Sequence, residues 1–150
     1  MTATNHTVTG ALAATFITVP IVALPVAFLL HFVLDALPHF GRVSFGKTSR
    51  KFKIILFADM TAAVAFLTSL VIVRPEHCLL LLACGVACAS PDLMWLPRWL
   101  NENKGKQNRP LNRIEQFHSK IQWGERPWGW IIELAWFLFA YSALLMRSIP

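Results

Sequence analysis

Charge is scarce in this chain. Only 15% of its 150 residues are Asp, Glu, Lys or Arg, against 55% hydrophobic residues. With a mean hydropathy of +0.51, that balance excludes an ordinary soluble domain and fits a small polytopic membrane protein. A Cys-x-x-Cys pair is also missing. The three cysteines, Cys78, Cys84 and Cys88, are an odd number at six- and four-residue intervals in or beside one apolar segment. They read as small helix-packing residues rather than a disulfide set or a zinc-binding pair. There is no Gly-x-Ser-x-Gly elbow and no phosphate-cradling glycine loop. Ser90 precedes Pro91 and Ser119 adjoins His118, and neither has a nucleophile's setting. The opening Met-Thr-Ala-Thr-Asn-His has no Lys or Arg and no cleavage site follows it, so a cleaved signal peptide is not expected. The net charge of +6 points to loops lying against anionic headgroups and not to nucleic acid.

What the chain does have is a series of apolar segments, and they predict one all-α domain over 1–150, a small polytopic bundle of about four or five helices. Residues 7–19 are apolar and rich in small side chains, and thirteen helical residues reach only about 20 Å, so a half-helix is expected there. Pro20 and Pro25 predict a turn, and a second helix runs from about Pro25 to Leu37, making a hairpin with the first. Residues 54–73, 77–95 and 127–146 read as spans, the last with Trp128 and Trp130 as interfacial anchors. Polar loops at 41–53 and 98–126 carry five and seven basic residues, while Arg74 and Arg147 stand alone at the other ends. The positive-inside bias therefore places both loops in the cytoplasm.

Within this frame the ionisable residues fall into a pattern. His31, Asp35 and His39 recur every fourth residue in an apolar run, and His31 and Asp35 share one helix face about 6 Å apart. A histidine and a carboxylate one turn apart are a pre-spaced pair of metal ligands, although a cap or a buried hydrogen-bonded pair has the same spacing. Asp35, Asp59, Asp92 and Glu133 each lie about 8 to 10 Å, at helical rise, from the cytoplasmic end of a span. Such carboxylates are costly in a membrane unless something positive compensates them, and a divalent metal would supply both charge and ligand set. His6 belongs at the same level, and His118, among Ile114, Phe117 and Ile121 in a short amphipathic stretch, is expected to face the bundle.

The motifs Asn-His6-Thr-Val-Thr-Gly, His31-x3-Asp35-x2-Pro-His39, Ser-Pro-Asp92 and Phe-His118-Ser resemble the bacterial inner-membrane metal-dependent hydrolases of the YdjM type. That resemblance implies a distant link to zinc-dependent phospholipase C and the zinc single-strand nucleases, helical proteins that hold zinc between His, Asp and Glu. The order departs from the family, since His-x3-Asp precedes Pro-Asp here. Met94 stands where the second Asp of a Pro-Asp-x-Asp would be, and Phe117 where a Thr would precede the loop histidine.

The expected activity is hydrolysis of a phosphoester in an amphiphilic lipid or prenyl phosphate, at the cytoplasmic face of a bacterial inner membrane. One to three divalent ions, zinc or manganese, would be held by His6, His31, Asp35, Asp92, His118 and Glu133. His39 and Asp59 would orient ligand imidazoles. Asp92, Glu133 or Asp35 could act as general base, and Lys120, Arg126 and Arg98 would meet the substrate phosphate. A proton or divalent-cation carrier, and a non-catalytic membrane subunit with a structural metal, are the alternatives.

Overall fold

The computed structural model describes residues 1–41 and 49–147, and it is all-α. Its helices are α1 (Ala3–Ala14), α2 (Pro20–Asp35), α3 (Arg50–Val73), α4 (Cys78–Ala89), α5 (Leu96–Asn103), α6 (Arg113–Ile121) and α7 (Gly129–Met146). A 3-10 turn at Ser90–Trp95 joins α4 to α5, and another at Gln122–Gly124 follows α6. The only β-type pairing among the described residues is an isolated bridge between His39 and Glu125.

Three helices are long and apolar enough to cross a membrane: Arg50–Val73, the continuous Cys78–Asn103, and Gly129–Met146. Their most apolar stretches are only 17%, 28% and 22% buried within the protein. So much exposed Ile, Leu, Val and Phe needs a lipid solvent, because in water it would be a large sticky surface.

The short α1 sits in the centre, packed by α2, α3, α4 and α7. Small residues allow the closest of these contacts: a Cβ at Gly10 would overlap the Cys84 carbonyl. Cys84 and Cys88 are fully buried there and all three cysteines are free, so they serve as small packing residues. The core continues through Val8, Ala11, Ala14, Ala27, Leu81 and Leu144.

Several boundaries differ from expectation. α1 begins at Ala3 because carboxylates from other helices hold its first turn, as described below. Pro20 and Pro25 do not form a turn: Pro20 takes the first position of α2, where a missing N–H costs nothing, and Pro25 lies inside the helix. The 98–126 segment is largely folded. α5 ends with Gly105 at φ 67°, where Gly105 N–H donates to Glu102 O (3.2 Å) and Lys106 N–H to Asn101 O (2.9 Å), the paired bonds of a Schellman stop. α6 starts with a capping box: Glu115 N–H donates to Asn112 Oδ1 and Asn112 N–H to Glu115 Oε2, both at 2.8 Å. In the first polar loop, Arg50, Lys51 and Lys53 belong to the first turn of α3, while Arg42 and Lys47 lie outside the described residues.

Candidate metal centre

The last turn of α2 carries two donors on one face. His31 Nε2 lies 3.2 Å from Asp35 Oδ2, and both side chains are fully buried. The Ser90–Trp95 turn, entered through Pro91, adds Asp92, whose Oδ1 is 3.7 Å from His31 Nε2. α6 adds His118, with Nε2 2.9 Å from Asp35 Oδ2 and 3.9 Å from Asp92 Oδ1. One ligand atom from each of His31, Asp35, Asp92 and His118 lies within 4.8 Å of all the others. Residues 87 positions apart in the sequence are thus brought to one point.

The imidazole tautomers follow from their outer partners. His31 Nδ1 is 2.8 Å from the Cys88 carbonyl, which can only accept, so Nδ1 carries the proton and a neutral ring turns a bare Nε2 inward. His118 Nδ1 faces Met94 Sδ at 3.3 Å, a weak acceptor, which favours the same tautomer. The two Nε2 atoms then stand 3.0 Å apart beside the Asp35 carboxylate. Lone pairs and anions so close repel one another unless a proton or a cation lies between them, and a divalent ion would relieve all of them at once. Two imidazole nitrogens and two carboxylates form the mixed donor set that zinc and manganese accept.

Around this group, His6 is fully buried with Nε2 3.2 Å from Asp35 Oδ1 and 4.0 Å from Asp92 Oδ2. Its ring stacks on His31 at 4.0 Å between centroids, and its Nδ1 has no hydrogen-bond partner. The amino group of Met1 donates to Asp35 Oδ1. Gln122, one turn beyond His118, donates to Asp35 Oδ2 (3.3 Å). Asp92 is the member with an open edge, its side chain 35% exposed.

The other expected site residues are placed differently. Glu133 receives Thr2 N–H on Oε2 (3.2 Å), Phe40 N–H on Oε1 (3.0 Å) and the Asn5 amide. Asp59 receives Ala3 N–H (2.7 Å), Thr4 N–H (3.0 Å) and the Thr4 hydroxyl (2.7 Å). These two carboxylates are therefore compensated largely by the donor-rich start of α1, where anions are favoured, and lie outside the four-residue group. His39 donates from Nδ1 to Leu37 O (2.8 Å), and its backbone pairs with Gly124 O and Arg126 N–H. That pairing requires glycine at 124 and 129, because a Cβ at either would overlap the backbone at Leu37 or His39. It lays the chain after α6 against the end of α2, which helps deliver His118.

Among the expected phosphate contacts, Arg98 donates to Arg109 O and sits 3.8 Å from Glu115. Arg126 donates to Trp123 O (3.1 Å) and Glu125 O (2.7 Å), and Lys120 is exposed. Sequence reasoning missed Gln122 and the Cys88 carbonyl. The i, i+4 spacing from His118 was a usable signal for Gln122, whereas a backbone carbonyl leaves none in side-chain identity. His118 does face the bundle, but Ile114 and Phe117 beside it turn outward, 62% and 55% exposed.

No family model matches the chain, and neither curated proteins nor solved structures give a significant match.

Proposed function

We propose that the protein is a membrane-embedded, metal-dependent hydrolase of a phosphoester in an amphiphilic lipid or prenyl phosphate, working at the cytoplasmic face of a bacterial inner membrane. The observation that carries this reading is the convergence of two inward-turned Nε2 atoms with two carboxylates at one buried point that is open along Asp92. His31, Asp35, Asp92 and His118 would hold the ion, with His6 beside them as a further nitrogen donor. When bound, a divalent ion lowers the pKa of a coordinated water and stabilises charge on phosphoryl oxygens.

The chain's own residues do the rest. The Cys88 carbonyl fixes the His31 ring through Nδ1, and Gln122 steadies Asp35. Asp92, at the exposed edge, would take one proton of the attacking water on the carboxylate oxygen not facing the ion as that water's oxygen bonds phosphorus, and would pass that proton to the ester oxygen, which leaves as the alcohol. The exposure of Asp92 would let water or a substrate oxygen reach the ion and take a coordination position from one protein donor, which favours catalysis over a structural metal. Towards the Arg74 end, the buried side chains among the described residues are apolar (Ala14, Leu70, Leu81 and Leu144) or the hydroxyl of Thr15, with no buried ionisable group, which speaks against an ion pathway. The motifs around His6, His31, Asp92 and His118 resemble those of the YdjM-type hydrolases and agree with this reading.

Metal analysis of the purified full chain tests the reading. Near-stoichiometric zinc or manganese is expected in the wild type, lost in both His31→Ala and Asp35→Asn. Monodisperse elution and an unchanged helical circular dichroism signal would show that the variants remain folded. Release of phosphate or a phosphorylated headgroup from lipid substrates should disappear with the metal. A wild-type protein that takes up no divalent metal after exposure to zinc and manganese would overturn the proposal.

A further inference from the structure

We propose that α6 is an interfacial helix, half-inserted into anionic lipid at the basic end of the bundle. The proposal rests on the membrane-embedded part of the reading above and is independent of metal and hydrolysis.

α6 has three distinct faces. Glu115 and His118 point inward, buried. Beside them Ile114, Phe117 and Ile121 follow i, i+3, i+7 spacing and form one apolar stripe. Ile114 and Phe117 are mostly exposed. On the third face Arg113, Gln116 and Lys120 are exposed. At nine residues, or about 14 Å at helical rise, the helix cannot cross a bilayer. An apolar stripe flanked by cations on a short helix is the pattern of an element lying in the plane of the interface.

Two further observations select lipid as the occupant. The Phe117 ring lies 5.8 Å from Phe32 of α2, and α2 exposes Phe28 and Val33 to the surroundings, so the stripe continues the surface that faces hydrocarbon. The segment 98–126 has seven Lys or Arg against Glu102, Glu115 and Glu125. Arg98 and Arg109 turn to Glu115, while Arg113 and Lys120 project from the exposed face and match anionic headgroups. Leu93, Leu96 and Leu100, at the same spacing, are likewise exposed on the turn before α5 and on α5 itself. Since His118 adjoins Phe117, the cluster lies at the boundary of headgroup and acyl chain, about 5–10 Å into the leaflet.

The test uses the full chain in nanodiscs, where both faces are accessible, with Cys78→Ala removing the more exposed native thiol. Single substitutions Ile114→Cys and Phe117→Cys report the stripe; Gln116→Cys and Ser119→Cys report the polar side. In phosphatidylglycerol discs a charged maleimide should label positions 114 and 117 roughly tenfold more slowly than 116 and 119, as insertion into the acyl boundary requires. In phosphatidylcholine discs, or with Arg113→Glu and Lys120→Glu together, that protection should shrink to about threefold or less, because each basic residue adds to the attraction. Equal labelling at all four positions, or protection indifferent to lipid charge, would overturn the proposal. Loss of metal binding would leave every one of these outcomes unchanged.

Discussion

At the scale of single residues, partners distinguish side chains that share a depth. Asp35 meets His31 and His118 at 3.2 and 2.9 Å, whereas Glu133 meets the backbone N–H groups of Thr2 and Phe40. Glu133→Ala should therefore take the carboxylate acceptor from these part-buried donors and from the Asn5 amide, lowering the unfolding free energy by about 1–3 kcal/mol. Its folded fraction should still bind metal as the wild type does, and a melting curve followed by metal analysis separates the two effects. A Glu133→Ala protein with unchanged stability and no metal would instead return Glu133 to the ligand set. The pairing of His31 with Asp35 was legible in the sequence because helical spacing alone puts them on one face. Glu133 was not, because counting residues from a loop gives depth along an axis but says nothing about which face of the helix is inward.

At the scale of elements, α6 holds its place through Glu115. The Asn112 N–H and then the Arg109 guanidinium, with Nη2 2.9 Å from Oε1, hold the Glu115 carboxyl below its ordinary value near 4.5. A group whose folded value is depressed stabilises the fold above its unfolded value, and that contribution disappears as pH falls through the folded one. Amide exchange across 113–121 should therefore accelerate as pH is lowered below about the ordinary glutamate range, after correction for the intrinsic pH dependence of exchange. Glu115→Gln should show faster exchange already at neutral pH and no further acid response. If the variant keeps the acid response, another group controls α6. The long apolar helices were readable because some twenty nearly unbroken apolar residues, as in 54–73 with Asp59 as its one charge, have few other uses. α5 and α6 were harder to read as helices: their polar composition resembles a loop, and only the Asn112–Glu115 capping box and the Gly105 stop mark their ends.

For the whole molecule, the two ends of the bundle differ in how their cations are used. At one end Arg50, Lys51 and Lys53 open α3, and Lys104, Lys106, Arg113, Lys120 and Arg126 stand exposed between α5 and α7. At the other, Arg74 donates to Leu144 O, Leu145 O and Arg147 O, and Arg147 donates to Thr15 O and stacks over Phe16. These two arginines neutralise helix C-termini, where cations are favoured, and contribute little free positive charge to their side. By the positive-inside bias, this asymmetry would turn the His31–Asp35–Asp92–His118 cluster towards the cytoplasm, as the proposed function requires. In intact cells expressing a Cys78→Ala background, an impermeant maleimide should label Glu76→Cys, at the Arg74 end. Lys106→Cys should react only after permeabilisation. The reverse pattern would place the cluster under the outer leaflet, where its substrate would have to be a lipid phosphate exposed on the far side of the membrane.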